Sequence, residues 1–211
     1  LDRLAVPDAA DILEVMAPDD AADVISAIPA EDAAEILIEM EPAEADELRE
    51  LMEYPPDTAG GRMTPAFVAV DPELRVDETI RAFRRVAQTA ETINYVYVID
   101  DDGTLLGVLQ LRDLVLNPPA TRIRDLMVTD IVQVSALADQ EEVAHLLNDL
   151  NLLALPVVDD AGRLLGIITA DDVADILEEE VTEDIERLGG SQPLAVSYLR
   201  ASPFLLWRRR V

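Results

Sequence analysis

The chemistry this sequence can offer is carboxylate chemistry. Of its 211 residues 44 are Asp or Glu against 16 Lys and Arg, a net charge of −28. The densest run is Asp171 to Glu186, with nine acidic side chains and no basic one. It follows Gly166 to Thr169, where β-branched Ile167 and Ile168 predict a strand, and it continues with helical spacing. On that helix Leu177, Val181, Ile185 and Leu188 form one apolar stripe. Asp172, Asp175, Glu179, Glu183 and Glu186 gather on the opposite side, as a solvated face would. Glu180 and Asp184 fall at the margin of the stripe, where an acid without a partner is costly, so a cation or an arginine is expected beside them. Beyond this run, Arg187 to Val211 holds five arginines and no acid.

Other chemistries are poorly supplied. Without cysteine there is no disulfide or thiolate metal site, and one histidine, His145, cannot build a His-rich one. Neither a G-x-S-x-G nor a P-loop pattern is present, and no enzyme is expected; His145 reads as a surface or interface side chain. Nucleic acid is an unfavourable partner for so acidic a chain, whereas cations are natural ligands. All 16 basic residues are Arg. An acid-rich, Lys-free surface also suits a high-salt source, so a plain solvated face, or an acidic scaffold without specific metal sites, is the competing explanation. The chain begins with Leu, as an excerpt of a longer protein would, and shows no signal peptide or apolar run long enough to cross a bilayer.

Two repeats organise the elements that must position these acids. Asp8-Ala-Ala-Asp-Ile-Leu13 recurs every 12 residues, as Asp20-Ala-Ala-Asp-Val-Ile25 and Asp32-Ala-Ala-Glu-Ile-Leu37, with a degraded copy at Glu44 to Leu48. Pro7, Pro18, Pro29 and Pro42 mark the unit starts. Short helices stacked as a small superhelix are expected over 1–57, with a core of Ile12, Leu13, Val24, Ile25, Ile36, Leu37, Leu48 and Leu51. Tyr54 to Gly61 reads as a linker from its Pro and Gly content. A second repeat then pairs Val96 to Leu114 with Leu155 to Val173, matching Gly103 to Gly162, Gly107 to Gly166 and Asp113 to Asp172. Amphipathic helices precede each copy, Val76 to Val86 with Ile80 and Phe83 inward, and Gln140 to Leu150 with Val143, Leu146 and Leu147 inward. Short strands Phe67 to Val70 and Ile131 to Val134 come before them. The unit is β-α-β-β-α, twice, and the fold class is α+β.

The hairpin motif Val157-Val-Asp-Asp-Ala-Gly-Arg-Leu-Leu-Gly-Ile-Ile-Thr-Ala-Asp-Asp-Val173 resembles the CBS domain, and residues 62–184 resemble a tandem CBS pair. With Asp57-Thr-Ala-Gly-Gly-Arg-Met-Thr-Pro65 and the acidic helical repeat in front, the chain resembles the cytosolic part of an MgtE-type magnesium channel. That resemblance implies a truncated helical N domain over 1–57, CBS units over 58–120 and 121–184, and a C-terminal connecting or plug helix over 185–211. This helix would lead to a transmembrane pore domain of the same chain. It further implies a homodimer, at the cytoplasmic face of the cell membrane, within a multi-pass membrane protein. Matched motif by motif, it implies Mg²⁺ ligands at Asp19 and Asp23 in the N domain and at Asp139 and Glu141 after Val134. Further ligands are implied at Asp172 and Asp175, and at Glu180, Glu183 and Asp184. One position departs from the family pattern, Asn151 standing where an Asp is expected, which weakens any site there.

Mg²⁺ keeps several waters and takes one or two carboxylates, so it can bridge two acidic surfaces that otherwise repel. The expected function is a magnesium sensor that closes a pore when the ion joins N domain, CBS pair and plug helix. The alternative is an adenine-nucleotide module. CBS pairs often bind ATP-like ligands through Gly-x-x-Thr/Ser-x-x-Asp, which Gly166 to Asp172 keeps at Thr169 and Asp172 and the first copy loses at Gln110. A third role for Thr169 is simply to end its strand and cap the next helix.

Overall fold

Helices of two to three turns are marginal alone, so the first question is what each one leans on. The computed structural model describes residues 4–86, 90–174, 176–177 and 182. Proline opens α1 (Val6–Leu13), α2 (Pro18–Ser26) and α4 (Pro42–Leu51), and Pro29 is the N-cap of α3 (Ala30–Glu39). The helices pack on alternate rather than adjacent neighbours, α1 on α3 and α2 on α4. Close approach is made possible by alanines: Ala9, Ala10, Ala21, Ala22, Ala33 and Ala45 are all buried, alongside Leu13, Ile25, Ile36, Leu37, Leu48 and Leu51. Here the expected core needs correction. Ile12 is 41% exposed and Val24 only half-buried, because in the first two copies the repeated alanines occupy the contact and leave room for one large side chain.

Each CBS unit is a three-stranded sheet. The first is β1 (Ala69–Val70), α5 (Val76–Val86), β2 (Tyr95–Ile99), β3 (Leu105–Gln110) and α6 (Leu111–Leu116). The second is β4 (Val134–Ser135), α7 (Gln140–Leu150), β5 (Ala154–Val158) and β6 (Leu164–Thr169), after a single 3₁₀ turn at Ile123–Asp125. Sheet orders are β1-β2-β3 and β4-β5-β6, a parallel pair followed by an antiparallel hairpin. The leading strands are shorter than the sequence suggests. The hairpin turns are identical in kind. Gly103 and Gly162 take φ +83° and +80°, and the carboxylates of Asp100 and Asp159 accept backbone N–H groups across each turn. Those hydrogen bonds hold both carboxyls below the usual range.

The units also trade backbone. Thr64, ahead of the first unit, bridges to Ile167 of the second, and Val128, ahead of the second, bridges to Val108 of the first. Met63 and Met127 therefore lie over Gly166 and Gly107, where an added Cβ would sit 2.8 and 2.7 Å from the sulfur-bearing side chains. The linker is equally tight. Ala59 N–H donates to Ala138 O (2.8 Å), Gly60 N–H to Ala136 O (2.7 Å) and Gln140 N–H to Asp57 O (3.0 Å). Despite its Pro and Gly content, this stretch is fastened along the start of α7.

One apolar core runs from the N domain into the second CBS unit. It joins Ala21, Ile25 and Leu48 to Ala59, Met63, Val143, Leu147, Ile168, Val173 and Ile176. The first CBS unit has its own core around Val96, Leu109 and Ile123, and Tyr97, Ala154 and Ile167 fill the space between the two units. The two glycines that carry different constraints offer a test. Gly166→Ala must push Met63 and the Thr64 carbonyl, 2.9 Å away, and is expected to cost about 1–3 kcal/mol. Gly103→Ala meets nothing and costs only left-handed strain, about 1 kcal/mol. Urea midpoints of the two variants should rank in that order.

Candidate cation site at the domain seam

The continuous core presses the start of α2 against the segment that follows β6, and that docking gathers acids. Asp19 and Asp20 occupy the first turn of α2. Asp171 and Asp172 follow β6, and Glu91, whose N–H donates to Ala66 O (2.7 Å), comes from the first CBS unit. Asp19 is the most perturbed of these. Burial first, and then the charge of Asp172, push its carboxyl up to about 6 from 3.8, with Asp20 and Glu91 adding smaller repulsions. One of its oxygens, Oδ1, is buried with no hydrogen-bond partner among the described residues. Asp172 is raised by burial and then by Asp171 and Asp20, and Glu91 by burial and then by Asp171, Asp172 and Asp20. Three separate parts of the chain thus bring like charges to one place.

Asp172 has a local duty as well. Its Oδ2 accepts Thr169 N–H (2.9 Å) and lies 2.9 Å from Thr169 Oγ1, while the hydroxyl reaches Asp171 Oδ1 at 2.5 Å. The first copy builds the same box with other residues: Asp113 Oδ2 accepts Gln110 N–H (3.0 Å), and the Gln110 side chain caps the start of α6. Motif and cap are therefore the same atoms, and Thr169 is buried within its own turn.

The remaining expected ligands spread around this seam. Asp23 lies one turn further along α2 and is half-exposed; its Oδ2 takes a hydrogen bond from Arg62 Nη1 (3.1 Å). Burial raises its carboxyl and Arg62 lowers it. Asp139 is the N-cap of α7 and accepts Glu141 N–H (2.9 Å), and Glu141, exposed, sits 3.6 Å from the exposed His145. Asn151 has φ 51° and ψ 42°, the left-handed residue that ends α7, a position Asn tolerates with little strain. Asp175, Glu180, Glu183 and Asp184, and the segment 185–211, lie outside the described residues. Glu91 was not among the expected ligands, because it sits in an irregular stretch with no periodicity to mark it.

Among the described residues no three acidic or histidine side chains stand close enough to wrap a bare metal ion. What the seam offers is a cluster of repelling, partly dehydrated carboxylates with gaps between them. That suits an ion that keeps its waters and bridges through them, as Mg²⁺ does. A separate cavity of about 430 Å³ opens between the CBS units, lined by Tyr95, Tyr97, Arg112, Asp113, Ile131 and Pro156 among others. Phe67 packs edge-on against Tyr97 at 6.1 Å and fixes that ring.

Residues 1–57 match the family described as the MgtE intracellular N domain, and residues 59–118 and 123–179 each match the CBS domain. The magnesium transporter MgtE of Thermus thermophilus is 48% identical over 172 residues, 82% of this chain and 38% of that protein. The Bacillus subtilis magnesium transporter MgtE is 41% identical, over 72% of this chain and 34% of its own length. The chain spans about a third of the length of these curated relatives. Among solved structures, the soluble part of a magnesium transporter superposes with TM-score 0.81 at 37% identity, over 84% of this chain and 69% of that one. The cytosolic domain of the Mg²⁺ channel MgtE in complex with ATP gives 0.76 at 44% identity, over 80% and 69%.

The raised Asp19 carboxyl sets the sign of a pH effect. Its proton is held more tightly in the folded chain than in the unfolded one, so what it contributes to stability is greatest below about pH 4 and is lost as pH rises through about 6. Asp19→Asn should therefore stabilise the chain at about pH 7.5, by about 1–2 kcal/mol once partial exposure is allowed for. It should also flatten the change between about pH 5 and 7.5. Urea melts in EDTA at the two pH values check this, and a variant as pH-dependent as wild type contradicts it.

Proposed function

Because this chain belongs to the MgtE family of magnesium transporters, with an N domain followed by a CBS pair, we propose that it is a Mg²⁺-sensing regulatory region. In this reading it sits at the cytoplasmic face of a membrane and acts, as a homodimer, on a transmembrane pore domain of the same protein. No helix among the described residues is long and apolar enough to cross a membrane, so the pore would lie elsewhere in that protein. The observation that carries the proposal is Asp19, on the N domain, with a buried oxygen that no described residue partners and a carboxyl pushed up by burial and by the charge of Asp172 of the CBS pair.

At about 8 Å, the spacing a hydrated ion needs, and an effective dielectric of about 20, two carboxylates repel by roughly 2 kcal/mol. A hydrated Mg²⁺ between Asp19, Asp20, Glu91, Asp171 and Asp172 reverses that sign and holds the joint shut. Asp139, Glu141, Asp175, Glu180, Glu183 and Asp184 supply the further weak sites of the same scheme. One site favours the docked state by RT ln(1 + [L]/Kd), about 1–2 kcal/mol when Mg²⁺ is several times its Kd. A full switch needs ~5.5 kcal/mol, which several such sites together can reach. At low Mg²⁺ the carboxylates repel, the N domain loosens and the plug helix is released. The chemistry is binding and bridging, with no bond made or broken.

Small-angle scattering over a Mg²⁺ titration, with NaCl at matched ionic strength as control, tests the proposal. Compaction by millimolar Mg²⁺ alone supports it, and Asp19→Asn with Asp172→Asn should raise the midpoint at least threefold. Equal compaction by NaCl returns the chain to the acidic-scaffold explanation.

A nucleotide reading has its own observation, the cavity between the CBS units. Its aromatic and apolar walls suit a base, while Arg112 and Asp113 suit phosphate and ribose. A solved relative holding ATP supports the same direction. The half-site at Thr169 and Asp172 remains part of this reading, although the hydroxyl there is engaged with Asp171 and Asp172. Calorimetry with ATP separates the two places. Arg112→Ala should abolish the heat if the cavity binds, and Thr169→Ala should do so if the strand end binds. No heat with wild type removes the nucleotide reading.

A further inference from the structure

The N domain and the second CBS unit should repel each other without any metal, yet they share one core. Residues 1–57 carry 18 acids against two arginines, and residues 121–184 carry 16 acids against three. Four of those five arginines are committed elsewhere: Arg122 and Arg124 pair with Glu73 of the first CBS unit, and two more pair within their own units. Arg49 pairs with Asp46 at 2.5 Å in α4, and Arg163 with Asp159 at 2.7 Å in the second hairpin. Between the two acidic bodies stands Arg62, at the end of the linker.

Its place is built rather than incidental. The Arg62 backbone N–H donates to Thr58 O (3.1 Å), inside the stretch fastened to α7. The side chain is 15% exposed. Nε donates to Oε1 of Gln140 at 2.9 Å, and Nη1 to Oδ2 of Asp23 at 3.1 Å. Gln140 is buried in the first turn of α7, and Asp23 belongs to α2 of the N domain. One planar guanidinium thus spans N domain, linker and second CBS unit, a geometry that Arg holds and Lys does not.

We propose that Arg62 is a tethered cation that keeps the N domain docked on the CBS pair in the absence of any divalent ion. This rests on the reading of the seam as the moving joint. A covalently attached charge has no concentration dependence, so it sets the starting point from which a diffusible cation acts. Asp23 is then a docking residue, held by Arg62, and the response to Mg²⁺ falls on Asp19, Asp20, Glu91, Asp171 and Asp172. Removing the charge shifts the metal response to higher concentration.

Amide hydrogen exchange of the full 211-residue chain in EDTA is the test. Arg62→Met and Asp23→Asn should each speed exchange in residues 18–26 and 136–147 by about three- to tenfold, while residues 95–110 of the first CBS unit stay as in wild type. The double variant should be no faster than the faster single one, since both lose the same contact. Arg62→Lys should fall between wild type and Arg62→Met. Exchange at the wild-type rate in both Arg62→Met and Asp23→Asn overturns the proposal. Should Arg62→Met loosen residues 95–110 as well, its effect is on folding and Asp23→Asn decides. A parallel arm with Mg²⁺ keeps the two ideas apart. A wild-type chain whose seam gains no protection from Mg²⁺ refutes the sensor, whereas the EDTA arm alone decides Arg62.

Discussion

The structure depends on a conflict between an apolar core and the charges it carries with it. Burial of Ala21, Ile25, Leu147, Ile168 and Val173 in one continuous cluster draws α2 onto the end of β6. Asp19, Asp20, Asp171 and Asp172 ride on those same segments and are forced together as a consequence. Neither side can relax without loss: undocking exposes the core, and docking dehydrates carboxylates that repel one another. On the proposed sensor reading, a joint balanced in this way is one that cation occupancy can shift, whereas a purely apolar interface would ignore the ion.

Stiffness elsewhere would confine such a response to the seam. The linker is zipped to α7, and Gly60 and Gly61 leave no space for a side chain against the Tyr54 ring and the Pro55 carbonyl. The two CBS units exchange backbone at Thr64 and Val108 and meet through their hairpin turns, where Leu105 N–H donates to Gly162 O and Leu164 N–H to Gly103 O. Any movement of the N domain would therefore have to break the contacts of α2 at the seam rather than bend a loose connector. The acids of the seam and the guanidinium of Arg62 lie on that line of parting.

Most of the architecture was legible because it repeats. A period of 12 with proline at each unit start predicts stacked short helices, and paired glycines at 103 and 162, and at 107 and 166, predict duplicated hairpins. Two things were less legible. The alanines of the repeat carry the packing, and small size is a weak signal beside Ile12 and Val24, which the pattern favours as core. Glu91 and Arg62 matter through contacts between residues far apart in the chain, which no local spacing encodes. Asp139 and Asp172 could be picked out as acids at helix starts, but their capping bonds to Glu141 and Thr169 emerge only with the backbone in place.

The central claim, that a divalent cation enters among dehydrated carboxylates at the seam, has a signature in protons. With Asp19 held near 6, Mg²⁺ binding at about pH 6 must displace part of a proton, and at about pH 8 it should displace almost none. Calorimetric Mg²⁺ titrations in buffers of different ionisation enthalpy measure that number directly. Clear proton release is expected at about pH 6, lost at about pH 8 and lost in Asp19→Asn. Heats independent of buffer at about pH 6, or release that survives Asp19→Asn unchanged, would contradict it.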